Sequence, residues 1–205
     1  MRVLLAGATG YIGRSVLREL GQRNIEVIAT ARLESDLPNP LPSSARIIRS
    51  NILEDPKWAE NIGHIDVVMS CLASRSGVPA DAGRVDYEAN ARLLEVAERH
   101  QVRRFILLSA ICVQKPRLAF QREKLRFEKL LLNSPVPATI VRPTVFFKSL
   151  VGQINRVKAG KPFLLFGSGE LTACKPISDR DLAVFMVNQL RDSTSKNSTM
   201  PIGGP

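Results

Sequence analysis

The residues Gly7-Ala8-Thr9-Gly10-Tyr11-Ile12-Gly13 carry the strongest chemistry-bearing spacing in the chain. In such a turn, Gly7 lets the backbone leave a strand sharply and Gly10 lets it approach a bound group. Gly13 lets the next helix pack close to the strand. The N–H groups that open a helix have no partner within it, and the helix dipole favours negative charge there. The segment is therefore suited to a diphosphate, with Thr9, Tyr11 and Ile12 completing the contact surface. The glycine pattern alone is weak. Its setting, between the apolar run Val3–Ala6 and the helical pattern Ile12, Val16, Leu17 and Leu20, makes it a dinucleotide site.

A second position bears on which dinucleotide is held. NAD sites usually carry an acid at the end of the second strand for the ribose 2′-hydroxyl. Here that place reads Thr30-Ala31-Arg32. A forked guanidinium suits a 2′-phosphate, so NADPH is expected over NADH. Asn51, just after the third strand, is placed for the adenine, and the turn at Cys71 and Leu72 passes under the adenosine half.

These residues need a scaffold to hold them, and the rest of the chain supplies its pattern. Apolar strand-like runs at Val3–Ala6, Ile25–Ala29, Ala45–Arg49, Ile65–Ser70, Phe105–Ser109 and Ala138–Val141 alternate with helical patterns. Gly21 reads as the stop of the first helix, and Asp55-Pro56 as the cap and first residue of another. Val85–His100 and Phe120–Leu132 read as two further helices. The alternation implies an α/β fold: a Rossmann-type, doubly wound parallel sheet with right-handed crossovers. Residues 1–143 form the expected NADP-binding domain. Beyond Pro143 the spacing of Leu150, Val151, Ile154 and Val157 predicts a helix ending at Gly160, and Phe163–Phe166 a short strand. Ser178 with Asp181 predicts a capped helix through Leu190. Residues 144–205 read as a small, incomplete substrate-binding region. The polar tail from Asp192 is not expected to build a packed element by itself.

Composition narrows the class. Apolar residues make up 44% of the 205, which fits a globular core. No run approaches the ~20 apolar residues of a membrane-spanning helix. The cysteines, Cys71, Cys112 and Cys174, are widely spaced, and His64 and His100 are the only histidines, so no metal site is expected. Free thiols suit a reducing compartment. The first strand begins just after Met1, leaving no room for a leader; the expectation is cytoplasmic, or plastid where a transit peptide has been removed. The net charge of +10 concentrates in Arg99, Arg103, Arg104, Lys115, Arg117, Arg122, Lys124, Arg126 and Lys129. That cluster reads first as a solvated helix face. Nucleic acid is not expected, and peripheral membrane contact stays open as a partner class.

The glycine turn and the helix Phe120–Leu132 resemble those of the atypical short-chain dehydrogenase/reductases, the group of NmrA-like and isoflavone-reductase-like proteins. Lys124 stands where that superfamily carries the lysine of its Tyr-x-x-x-Lys pair. Val141-Arg142-Pro143 resembles the strand-end motif that passes the nicotinamide. Longer blocks, Ser70–Gly77, Leu108–Pro116, Val141–Thr144, Phe146–Leu150, Ala173–Ser178 and Pro201–Pro205, resemble the divinyl chlorophyllide 8-vinyl reductase family. The resemblance implies NADPH-dependent reduction of a vinyl group on a tetrapyrrole. It places Lys124 at the nicotinamide ribose, or as proton donor, with an ordered water or a group beyond this chain as the other donors. Pro143 joins the cofactor contacts, and Phe146 and Phe147 would flank the flat substrate. Phe120 stands where the superfamily has tyrosine, and relatives continue past the final Gly204-Pro205. The alternatives are an NADP-responsive regulator without turnover, or a reductase of another small molecule.

Overall fold

The computed structural model describes residues 1–164, 168, 175–191 and 197–204. The strands are β1 (Arg2–Ala6), β2 (Glu26–Ala31), β3 (Ala45–Arg49), β4 (Val67–Ser70), β5 (Arg104–Leu108), β6 (Ala138–Pro143) and β7 (Ser198–Ile202). They form one parallel sheet in the order β3-β2-β1-β4-β5-β6-β7. The chain reverses direction across the sheet at β1, so the crevice between the ends of β1 and β4 is the switch point where such sheets bind ligands.

Sequence period explains the two covered faces. Alternate side chains of a strand point to opposite sides. Val3 and Leu5 of β1 therefore pack with Val16, Leu17 and Leu20 of α1 (Tyr11–Gln22) and with Leu182 and Met186 of α6 (Asp179–Asn188). Leu4 and Ala6 pack on the other side with Leu93 of α3 (Ala89–Arg99) and Phe127 and Leu131 of α4 (Ala119–Leu132). A strand buried on both faces must be apolar throughout, which is why Val3–Ala6 does not alternate. The short helix α2 (Pro79–Ala82) runs into α3 through a π-helical turn, Gly83–Glu88. Helix α5 (Phe147–Lys158) buries none of its residues.

Several expectations are corrected. The first helix continues through Gly21 to Gln22, and Asn24 makes the left-handed turn instead, at φ 52°. Gly21 serves packing: a Cβ there would lie 2.5 Å from Pro42. Asp55-Pro56 opens no helix. The Asp55 carboxylate accepts from the Ser50 hydroxyl and the Lys57 N–H, both at 2.9 Å, and so caps a turn. Phe163 and Leu164 are not in a strand, and Leu165, Phe166 and Cys174 lie outside the described residues. The tail, not expected to build an element by itself, does so only beside β6, which supplies the ladder hydrogen bonds of β7. The basic cluster is divided by the fold: Arg104 and Lys124 are buried, while Arg126 lies over the Tyr87 ring at 3.7 Å and pairs with Glu123.

Candidate functional site

The glycine turn sits at the switch point. Gly7 adopts φ +82°, and a Cβ on it would lie 2.7 Å from the Cys71 carbonyl, so only glycine lets β1 and β4 end this close together. Gly10 donates its N–H to Gly7 O at 3.0 Å and then caps α1 without any side-chain hydrogen bond. A Cβ on Gly10 would meet only that Gly7 oxygen, at 3.2 Å, and otherwise point into open space. The first intrahelical bond of α1 starts from Arg14, to Gly10 O, leaving the N–H groups of Tyr11, Ile12 and Gly13 without helical acceptors. Gly13 is set against the turn itself, with a built Cβ only 1.9 Å from Gly7 O. Backbone donors at a helix N-terminus, fronted by space that a side chain would fill, fit a dinucleotide diphosphate.

Two arginines organise the loop after β2. Arg14 donates to Thr9 O at 2.9 Å and to Asp36 O at 2.8 Å, tying the glycine turn to that loop. Arg49, at the end of β3, donates to the carbonyls of Leu33 at 2.6 Å and Ser35 at 3.2 Å. Arg32 is thereby held at the strand end with its side chain exposed. Asp81 in α2 is held below the usual carboxylate range by the Ser76 hydroxyl first, and the charge of Arg32 adds to this. Asn51 is half-buried and its Oδ1 accepts from the Leu53 N–H at 3.2 Å, shaping the turn that follows β3.

On the other side of the crevice lie the ends of β4, β5 and β6. Cys71 donates its N–H to Ala6 O at 2.9 Å, and burial pushes its thiol up to about 12. Leu72 follows it, half-buried. Pro143 closes β6 and its carbonyl accepts from Ile111 at 3.0 Å. Lys124, from the first half of α4, is buried, and its ammonium is shared among Asp86 Oδ1 at 3.0 Å, Leu72 O at 3.2 Å and Leu108 O at 3.5 Å. The Ser109 hydroxyl, just beyond β5, is buried without a hydrogen bond among the described residues.

Tyr11 connects the turn to the second half of the chain. Its hydroxyl donates to Asp179 Oδ1 at 3.1 Å, and its ring meets Phe146 edge-on with centroids 6.1 Å apart. Ser15 donates to the other Asp179 oxygen. Phe146 thus packs into the site wall, whereas Phe147, the first residue of α5, is 53% exposed beside the exposed Val151 and Ile154. Two surface hollows, of about 320 and 390 Å³, lie elsewhere, at the strand starts beside Arg2 and Glu26 and on the outer face of α3 beside Tyr87 and Arg92. Neither touches the glycine turn, and the unpaired donors, not depth, mark the site.

Sequence reading missed Asp86, Asn90 and Asp179. Asp86 and Asn90 lie four residues apart on the stripe of Ala82, Leu93 and Ala97 that the helix buries. Polar residues on a core-facing stripe were the available signal.

The comparisons agree with this geometry. A family profile described as NAD(P)H-binding matches residues 7–193. The chain is 44% identical to the chloroplastic divinyl chlorophyllide a 8-vinyl-reductase of Arabidopsis thaliana, covering 100% of this chain and 54% of that protein. It is 45% identical to the reductase of the same name from Oryza sativa subsp. indica, covering 99% and 54%. The photosystem II assembly factor Ycf39 of Synechocystis is 23% identical, over 100% of this chain and 63% of that protein. The chain thus spans about half the length of the curated reductases it matches. Among solved structures, the UDP-glucuronic acid 4-epimerase of Bacillus cereus in complex with NAD superposes with a TM-score of 0.85 at 20% identity, covering 100% of this chain and 78% of that one. At that identity the likeness is one of fold. Among the described residues, no helix is long and apolar enough to cross a membrane.

Proposed function

The chain belongs to the NAD(P)H-binding family, and we propose from that premise that it serves the NADPH-dependent reduction of the C8 vinyl group of divinyl chlorophyllide to ethyl. The observation that carries the binding reading is the uncapped start of α1, where Gly10 faces open space. The substrate class rests on whole-chain similarity to the plant reductases. When bound, the reduced nicotinamide supplies hydride to the conjugated vinyl group, whose macrocycle spreads the resulting charge.

In this reading the chain's own residues hold and orient. Gly7, Thr9, Gly10, Tyr11, Ile12 and Gly13 receive the diphosphate. Arg32 receives the 2′-phosphate, on a loop that Arg14 and Arg49 have already ordered. Asn51 borders the adenine, and Cys71 and Leu72 underlie the adenosine side of the crevice. Lys124 and Pro143 border the nicotinamide half. The 3.5 Å contact of Lys124 to Leu108 O is the longest of its three, and it is the one a ribose hydroxyl would replace. Phe147, with the apolar side of α5, offers a flat tetrapyrrole its contact surface, and Phe146, packed edge-on against Tyr11, flanks it.

An absorbance scan of the protein with NADPH and divinyl chlorophyllide tests the proposal. A Soret shift with NADPH consumption is expected. NADPH binding without turnover, on a chain extended to its relatives' length, would favour a regulatory role instead.

A further inference from the structure

Lys124 and Asp86 form a buried ion pair, with side chains 7% and 0% exposed. Taking two charges out of water is costly, and a well-packed apolar pair often stabilises a fold as well or better. The surroundings show what this pair does besides hold the core together. The other two acceptors of the ammonium are the carbonyls of Leu72 and Leu108, at the ends of β4 and β5. Asp86 in turn accepts from the Ser74 hydroxyl at 2.5 Å and the Ser74 N–H at 3.4 Å, on the loop that leaves β4.

The π-helical turn is what aims Asp86 at this seam. Such a turn leaves carbonyls without their usual partners. Here the Asn90 amide donates to the carbonyls of Asp86 at 3.0 Å and Val85 at 3.3 Å, and accepts from the Ser70 hydroxyl at 2.6 Å. The helix is thereby fixed to the end of β4 at Ser70, to Ser74 directly through Asp86, and to Leu72 by way of Lys124. In a doubly wound sheet the diphosphate lies over the first strand and the adenosine over the second, so the far half of the cofactor falls over β4 and β5.

We propose that Asp86 is a positioning residue for the nicotinamide half of the cofactor: its carboxylate holds the Lys124 ammonium in the seam between the ends of β4 and β5. The inference rests on the dinucleotide reading above. It assigns Asp86 no contact with the cofactor. Its effect is delivered through Lys124 and the two strand-end carbonyls.

Calorimetric titration of the full chain with NADPH and with 2′,5′-ADP, which lacks the nicotinamide half, tests this. Asp86→Asn should weaken NADPH about tenfold, roughly 1.4 kcal/mol, while 2′,5′-ADP stays within about twofold. Asp86→Glu, which keeps the charge, should recover part of the loss. Unchanged NADPH affinity in Asp86→Asn would overturn the proposal, and so would an equal loss for both ligands, which marks general damage. If Asp86→Asn does not fold, Asp86→Glu, which keeps the charge and the Lys124 partner but shifts the carboxylate by one methylene, decides. A smaller loss confined to NADPH is expected there, and wild-type NADPH affinity or an equal loss for both ligands would overturn the proposal. A wild-type chain that binds neither NADPH nor NADH would instead remove the dinucleotide reading itself, and this proposal with it.

Discussion

The Tyr11 hydroxyl donates to Asp179 Oδ1 at 3.1 Å, joining the first residue of α1 to the first residue of α6. Ser15 donates to the other oxygen, so one carboxylate ties the glycine-turn helix to α6. Burial alone would raise Asp179, but the hydrogen bonds from Ser15 and Tyr11 outweigh it and hold the group below the ordinary value of 3.8. A depressed folded-state pKa stabilises the fold above the unfolded value, and that contribution is lost as pH falls through it.

Asp179→Asn is therefore expected to destabilise the chain by about 1 kcal/mol near neutrality, a hydrogen-bond figure reduced for solvent screening. The gap from wild type should stay constant down to about pH 5 and close below about pH 4. Urea melts across pH 3–7 check this. A gap that persists undiminished at pH 3 would show that the carboxylate's charge is not what matters.

Gly10 and Gly13 should respond differently to an added side chain. Gly10→Val is expected to leave the fold largely intact and abolish NADPH binding, because the new group occupies the space in front of the helix. Gly13→Ala puts a methyl 1.9 Å from Gly7 O, and backbone must move to admit it. Circular dichroism with NADPH titration separates the two outcomes. Tight binding by a folded Gly10→Val protein would mean that the turn does not hold the diphosphate.

NADPH should bind at least tenfold more tightly than NADH, about 1.4 kcal/mol, and Arg32→Asp should remove that preference. The test is fluorescence titration with both cofactors. Equal wild-type affinities would assign Arg32 to the surface alone.

Lys124→Met strands the fully buried Asp86 carboxylate, so a stability loss of roughly 3–5 kcal/mol is expected. Adding Asp86→Asn should recover much of it. In the stabilised double variant, hydride transfer is expected to fall more than NADPH affinity, since orientation loss can reach ~100-fold in rate. Phe120→Tyr should not accelerate the reaction, because a vinyl carbon develops no alkoxide for a tyrosine to protonate. Single-turnover kinetics on a chain of the relatives' length would show whether either expectation fails.

Thiol chemistry offers an independent check of burial. In a Cys174→Ser background at pH 8, a maleimide should label exposed Cys112 quickly. Cys71, buried and with its thiol raised to about 12, should react only after denaturation. Rapid labelling of Cys71 in the native chain would place the end of β4 in solvent.

The turn, the strands around it and the parallel sheet were legible in the sequence because each rests on local rules. Glycine spacing, apolar runs and helical stripes act within about a dozen residues, and β3 and the Ser178 cap fall where those rules put them. Gly21 and Asp55 misled because a glycine can serve packing and an aspartate can cap a turn, and the neighbours Pro42 and Ser50 decide which. The tail became β7 for a related reason: an edge strand takes its hydrogen bonds from β6, not from itself. What the tertiary structure alone decided is the company kept by charges. A lysine on a helical pattern reads as a solvated cation until the sheet brings Asp86, Leu72 and Leu108 around it, and Asp179 invites no reading at all until Tyr11 and Ser15 reach it. Electrostatic contacts join residues by distance in space, which a one-dimensional pattern does not carry.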